Sequence, residues 1–266
     1  MRVISITGGK GGVGKSTISV NLAISLAKIK KKVLLFDADL GLANIDVMLG
    51  LSPQRTIHDF LSGKCTLDEV CITGPYGIKI LPAASGVQRM AELSSLESGE
   101  LIRSFSSLSS DFDFMLVDTA AGISNQVIDF THASQDIMVV ICNDPASLTD
   151  SYAVIKILHQ KYLRSRFGIV VNKARSMQEA FDVFSKFQSA AGKFINVTMN
   201  YLGYVPQDDC IFLASRERKA VIDRFPSASS AIAFNQIGHG LLHWQDDKTI
   251  TGGMQFFLER IINRNG

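Results

Sequence analysis

The sequence lacks the features that mark disulfide-bonded, membrane-spanning and exported proteins. Its four cysteines include no pair with CxxC spacing, so we interpret them as reduced thiols of a cytoplasmic protein. It contains no apolar run of about 18 residues, the length that suggests a membrane span. The first residues enter a strand-like apolar run at once, and we therefore expect no signal peptide.

The sequence also has no excess of charge of either sign. Its 266 residues include 27 Lys and Arg against 25 Asp and Glu, for a formal net charge of +2. Bulk charge therefore gives no argument for nucleic-acid binding. Long linkers, repeats and low-complexity tracts are absent as well. Because 46% of the residues are hydrophobic, we predict an ordered protein that buries a core without disulfide or metal staples.

What the sequence does contain is an alternation of short apolar strands with longer helical patterns. The predicted strands are Val3–Thr7, Val33–Asp37, Ile78–Leu81, Phe114–Asp118, Ile137–Ile141, Gly168–Val171 and Tyr201–Val205. The predicted helices include Lys15–Ile29, Glu100–Leu108, Leu148–His159 and Met177–Ala190. Strands that are apolar nearly throughout are typical of parallel sheets covered on both faces. We predict an α/β fold with a single doubly wound, mostly parallel sheet over residues 1–251, followed by a C-terminal segment over residues 252–266.

The strongest motif is a glycine-rich loop that follows the first predicted strand and opens the first predicted helix. It matches the P-loop pattern G-x-x-x-x-G-K-[ST]. The glycines let successive N–H groups point at phosphate oxygens, and the helix N-terminus adds positive potential. Lys15 is expected to reach the β- and γ-phosphates, and the Ser16 hydroxyl to bind Mg²⁺. The predicted nucleotide-binding residues of this loop are Gly9, Lys10, Gly11, Gly12, Val13, Gly14, Lys15, Ser16 and Thr17.

Three aspartates follow predicted strands and are expected beside the loop. Asp37 and Asp39 end the second strand, and Asp118 ends the fourth; carboxyl ends of parallel strands border the ligand crevice in such folds. We predict that Asp39 positions the attacking water and that Asp118 holds Mg²⁺ through water. Asp37 is expected to support Mg²⁺ or the adjoining loop. The predicted metal set is therefore Ser16, Asp37 and Asp118.

The choice of base depends on a partial motif near the end of the sixth predicted strand. Asn172 and Lys173 match the start of the NKxD pattern of guanine-binding loops, but Arg175 replaces its Asp. Without that carboxylate, guanine N1 and N2 have no partner, so ATP is favoured. Asn172 is predicted to bond the adenine edge and Pro206 to pack against its face, with an ordinary strand-end turn as the alternative for both.

The loop sequence KGGVGKS, with its early Lys10, resembles the deviant Walker A motif of the MinD/ParA family of P-loop ATPases. Within that family, four further stretches resemble the FleN/FlhG group of flagellar-number regulators, namely residues 37–47, 81–86, 117–122 and 253–257. The resemblance implies a weak Mg-dependent ATPase that forms a homodimer when ATP is bound, with Lys10 reaching the partner's nucleotide. It also implies restraint of a FleQ-type activator of sigma-54-dependent flagellar genes.

Two other types of protein in the family are alternative interpretations of the function of this sequence. A MinD-type division-site regulator shares the nucleotide site, and a ParA-type partition protein binds DNA as a dimer. The near-neutral charge argues against the second, so we expect no direct DNA binding. The GTPase FlhF is a further candidate partner, but the N-terminal DQA-type extension that stimulates it is not seen. The resemblance also makes Asp150 a partner for Lys10; the alternative is an acid of a first helical turn that favours the helix dipole.

The C-terminal segment has the pattern of an amphipathic helix. Its apolar residues recur at helical spacing, namely Met254, Phe257, Leu258, Ile261 and Ile262. Such a helix can lie in a membrane interface or dock into a groove on its own domain, and both readings stay open. The first, which the family resemblance favours, predicts transient peripheral association with the inner face of the cell membrane.

Overall fold

The computed structural model describes residues 1–39, 44–56, 59–60, 62–82 and 111–244. Within these ranges, eight strands form one sheet in the order β3-β4-β2-β5-β1-β6-β7-β8. The strands are β1 Arg2–Thr7, β2 Val33–Ala38, β3 Ile72–Thr73, β4 Lys79–Leu81, β5 Phe114–Thr119, β6 Asp136–Ile141, β7 Arg166–Ala174 and β8 Thr198–Pro206. All neighbouring pairs are parallel except β3 and β4. The predicted α/β fold class is therefore confirmed.

Helices connect the strands and cover the sheet. They are α1 Lys15–Lys28, α2 Ile45–Leu49, α3 Leu67–Val70, α4 Asn125–Ala133, α5 Pro145–Tyr162, α6 Met177–Gly192, α7 Asp209–Arg216, α8 Val221–Arg224 and α9 Ser229–His243. A 3₁₀ turn spans Pro75–Gly77. Local capping explains several starts: the side chains of Asp144, Ser176 and Asp208 accept backbone N–H bonds at the beginnings of α5, α6 and α7.

The core lies on both faces of the sheet. One apolar cluster joins α1 and α9 to the strands through residues such as Ile24 and Phe234, both fully buried. On the other face, α5 and α6 pack on β6 and β7, where Val154 and Phe167 are fully buried. Because each central strand is covered twice, its side chains are apolar on both sides, which is why the strands carry continuous rather than alternating patterns.

All seven predicted strands are present, and β7 and β8 extend further at both ends. The short antiparallel β3 and the helices α4, α7 and α9 were not among the predictions. The predicted helix Glu100–Leu108 and the C-terminal segment 252–266 lie outside the described residues, so the second of the two predicted units stays a prediction. Among the helices that the structure describes, none is long and apolar enough to cross a membrane.

Candidate functional site

The predicted phosphate loop connects β1 to α1 and is held closely by its neighbours. A Cβ on Gly9 would lie 2.1 Å from the Asp150 carbonyl carbon, and one on Gly14 would lie 2.3 Å from the Asn172 amide nitrogen. Gly14 also has φ 95°, in the left-handed region that favours glycine. The Gly9 N–H donates to the Ser151 hydroxyl at 3.4 Å. Close packing against the Asp150 backbone therefore requires glycine at position 9, and the left-handed backbone together with the Asn172 contact favours it at position 14.

Lys15 and Asp118 form the buried charged centre of the site. Lys15 is only 8% exposed, and this burial lowers its pKa, although the charges of Asp118 and Asp39 oppose the shift. Asp118 is 1% exposed; burial raises its pKa to about 7, against the effect of the Ser16 and Ser19 hydroxyls. Ser19 donates to Asp118 Oδ1 at 2.8 Å, whereas Oδ2 is buried with no hydrogen-bond partner within the described part of the chain. An orphaned carboxylate oxygen beside a P-loop fits the water-mediated Mg²⁺ site predicted for Asp118.

Asp37 differs from Asp118 in that both of its carboxylate oxygens accept hydrogen bonds from backbone N–H groups. It lies opposite Asp118 in the β2–β5 register. Its Oδ1 accepts the Asp39 N–H at 3.1 Å, and its Oδ2 accepts those of Asn44 and Ile45 at 3.1 and 3.3 Å. Burial raises the pKa of Asp37 to about 6, and these backbone bonds hold it from rising further. Asp37 therefore ties the end of β2 to the start of α2. Its predicted roles toward the adjoining loop and toward Mg²⁺ stay predictions.

Lys10 pairs with Asp144 and not with the predicted Asp150. Its ammonium lies 2.5 Å from Asp144 Oδ2, and Asp144 also caps α5 by accepting the Ser147 N–H at 3.2 Å. Asp150 instead packs its backbone and Cβ against Gly9, and its charge acts on Lys10 only at longer range. The packing of the first turn of α5 on the loop decides between the two acids.

Asn172, one of the two predicted base-binding residues, contacts the phosphate loop, and so does its neighbour Lys173. The Asn172 amide nitrogen donates to the Val13 carbonyl at 2.7 Å, and the Lys173 ammonium donates to the Gly12 carbonyl at 2.9 Å. Asn172 is 5% exposed. Pro206 is the last residue of β8, beside the end of β7. Adenine contacts by Asn172 and Pro206 stay predictions; the contacts with the loop were not foreseen from the sequence.

A cavity of about 480 Å³ opens beside the loop, within the range of small-molecule sites. Glu179 of α6 organises one wall: its two carboxylate oxygens accept the Asn143 amide at 2.7 Å and the Arg175 N–H at 2.5 Å. Sequence reasoning missed Glu179 and Asp144, although the Asp-Pro pair at the start of α5 is a recognisable cap signal. The cavity is lined by Lys10, Gly11, Gly12, Val13, Cys142, Asn143, Asp144, Lys173, Arg175, Glu179 and Gln207.

The chain is similar to known proteins over most of its length. A family model described as an AAA domain matches residues 1–167. The antiactivator FleN of Pseudomonas aeruginosa is 42% identical over 262 residues, covering 98% of this chain and 94% of that protein. The flagellum site-determining protein YlxH of Helicobacter pylori is 32% identical over 273 residues, covering 100% of this chain and 91% of that protein.

A solved structure shares the fold and was obtained with a nucleotide bound. The septum site-determining protein MinD of Pyrococcus horikoshii, complexed with Mg-ADP, superposes with a TM-score of 0.69 and 25% identity. The match covers 90% of this chain and 95% of that chain.

Proposed function

The chain belongs to the MinD/ParA family of P-loop ATPases, in its FleN/FlhG-like group, and on that premise we propose that it is an ATP-dependent dimerising switch that limits flagellum number. The observation that carries the proposal is the 42% identity with an antiactivator over 98% of the chain. Its proposed target is a FleQ-type activator of sigma-54-dependent flagellar genes.

The proposed substrate is Mg-ATP. Lys15 is buried where the phosphate loop joins α1. Because little water reaches it there, little solvent competes with the β- and γ-phosphates for its charge. When bound, Mg²⁺ neutralises phosphate charge, and Ser16 and Asp118 are the residues proposed to hold it, Asp118 through water. The binding of Mg-ADP by the related MinD supports this assignment.

Hydrolysis is proposed to require Asp39. This carboxylate lies at the end of β2, close enough for its charge to act on Lys15. A carboxylate there can orient a water molecule toward the γ-phosphate without itself contributing to phosphate binding by the loop. The reaction is proposed to be slow, because it times the lifetime of a dimer.

The dimer is proposed to form face to face, with the nucleotide sites of the two protomers at the interface. Lys10 of each protomer would then contact the nucleotide of the other. Lys10 suits this role because its side chain remains 44% exposed, even while it is paired with Asp144. ATP would thus favour the dimer, and ADP the monomer.

The decisive experiment uses purified protein and a FleQ-type activator from the same source. Capture of the activator should require Mg-ATP and should be lost with ADP and with Lys10→Ala. Deletion of the gene in its native cell should increase the number of flagella, and reintroducing the wild-type gene should restore the normal number. Normal flagellar number with misplaced septa after deletion would instead support the MinD-type alternative. That alternative has less support at present, because identity with the Pyrococcus horikoshii MinD is 25% and identity with FleN is 42%.

Membrane association is proposed for the C-terminal segment 252–266, in the ATP-bound dimer. One short helix with few cations binds lipid weakly, so two copies are needed for lasting attachment. Sedimentation with anionic vesicles should therefore require ATP and be lost in Phe257→Glu. Retention of the intact protein in the supernatant with ATP at low salt would contradict this.

A further inference from the structure

Two side chains at the end of β7 hold the phosphate loop by its carbonyl groups. The Asn172 amide nitrogen donates to the Val13 carbonyl and the Lys173 ammonium to the Gly12 carbonyl, at 2.7 and 2.9 Å. The two acceptors belong to successive peptide units of the loop. The bonds therefore set the orientation of two neighbouring peptide planes.

The geometry of the peptide unit links these bonds to phosphate binding. In a trans peptide, the carbonyl oxygen and the N–H of the following residue point in opposite directions. Turning the Gly12 and Val13 carbonyls toward β7 therefore turns the Val13 and Gly14 N–H groups away from β7. Successive N–H groups that face one side form a concavity that binds anions.

The backbone of β7 is bent to make the contact. Lys173 has φ 58°, in the left-handed region that lysine rarely adopts, and the β7–β8 register shifts between Asn172 and Ala174. The Lys173 N–H donates to Asn172 Oδ1 at 2.9 Å, so one amide side chain supports both the bend and the loop. Space for that amide exists because Gly14 has no Cβ.

We propose that Asn172 and Lys173 are positioning residues for phosphate binding, which orient the Val13 and Gly14 N–H groups instead of reading the base. The inference rests on the proposed ATP site. This role accounts for the Asn-Lys pair of a partial NKxD pattern in which arginine occupies the aspartate position.

A probe without a base separates the two roles. Calorimetry would measure the binding of Mg-ATP, Mg-GTP and inorganic tripolyphosphate to the wild-type protein, Lys173→Met and Lys173→Arg. Lys173→Met should weaken ATP and tripolyphosphate binding by the same factor, about tenfold for the loss of a hydrogen bond from a charged donor. The ratio of ATP to GTP affinity should not change. Lys173→Arg should recover most of the loss, because arginine also donates.

Lys156→Met is the matched control, since Lys156 is an exposed lysine on α5, and it should bind all three probes as the wild-type protein does. Asn172→Leu, which cannot donate, should repeat the pattern of Lys173→Met and serves if that variant does not fold. Weaker ATP binding with unchanged tripolyphosphate binding would overturn the proposal in favour of base reading. Wild-type affinities in both variants would also overturn it. A wild-type protein that binds neither ATP nor tripolyphosphate would instead refute the proposed function.

Discussion

The Lys10 ammonium lies 2.5 Å from Asp144 Oδ2, the same oxygen that caps the first turn of α5 by accepting the Ser147 N–H. The hydrogen bond and charge of Asp144 raise the pKa of Lys10, and Lys10 in turn lowers the pKa of Asp144. Both groups are therefore charged at neutral pH. The lysine proposed to cross the dimer is held by its own chain, so this ion pair would compete with the proposed dimerisation.

Removing that competitor should favour the dimer. Asp144→Asn keeps an oxygen that can cap α5 but loses the charge that holds Lys10. Half-maximal dimerisation, measured by light scattering, should then need about threefold less ATP, a change on the scale of an exposed ion pair. Asp150→Asn, as the control, should have a smaller effect. A variant that needs as much ATP as the wild-type protein would show that the pair does not restrain Lys10.

Binding, dimerisation and hydrolysis should separate among three substitutions. Lys15→Ala should abolish ATP binding, because it removes the buried charge that faces the phosphates. Lys10→Ala should retain monomeric binding and lose the dimer. Asp39→Ala should bind ATP without turnover and accumulate as a dimer in size-exclusion chromatography with light scattering. A monomeric Asp39→Ala protein in saturating ATP would contradict the proposed switch.

The stability of the nucleotide-free protein should fall as pH rises from about 4 to about 7. Burial raises the pKa of Asp118 to about 7 and of Asp37 to about 6, from an ordinary value of 3.8. In this window the native state binds more protons than the unfolded chain, so raising the pH favours unfolding. Urea unfolding at pH 5 and pH 8 should show a smaller difference for Asp118→Asn than for the wild-type protein. Equal differences would place the titrating group elsewhere.

The same carboxylate should make Mg²⁺ binding depend on pH. Protons and Mg²⁺ compete for Asp118, so the Mg²⁺ concentration needed for tight ATP binding should rise as pH falls from about 8 to about 6. Titrations with Mg²⁺ at fixed ATP would measure this. In Asp118→Asn, Mg²⁺ should contribute less to affinity at every pH. A wild-type protein whose Mg²⁺ requirement stays constant over this range would argue against Asp118 as the metal carboxylate.

Asp208 is expected to be a stability determinant separate from the nucleotide site. It accepts the Cys210 N–H at 2.9 Å as the cap of α7, and the Ser229 hydroxyl and the Ser230 N–H and hydroxyl at 2.8–3.0 Å. Asp208→Ala should lower the free energy of unfolding by about 2–3 kcal/mol, for a lost cap and further lost hydrogen bonds. Asp209→Ala, at the exposed neighbouring residue, should change it much less. An Asp208→Ala protein as stable as the Asp209→Ala control would show that these bonds contribute little.

Features encoded by neighbouring residues were predictable from the sequence. The phosphate loop, the strand-end aspartates and the alternation of strands with helices each occupy a short stretch whose pattern carries its own physical reason. The loop residues are consecutive, and Asp37 and Asp118 end strands that the structure places side by side. The small β3 was not predictable in the same way, because two residues are too few for a periodic pattern.

Contacts across the fold were decided by tertiary structure. Lys10 and Asp144 are 134 residues apart, and Asn172 and Val13 are 159 apart. Whether such residues meet depends on the order of the strands, in which β6 and β7 follow β1 in the sheet, and strand–helix alternation does not specify that order. The sequence by itself therefore determined that a phosphate loop and its carboxylates are present. The packing of α5 and the end of β7 against that loop decided that Asp144 holds Lys10 and that Asn172 and Lys173 hold the loop.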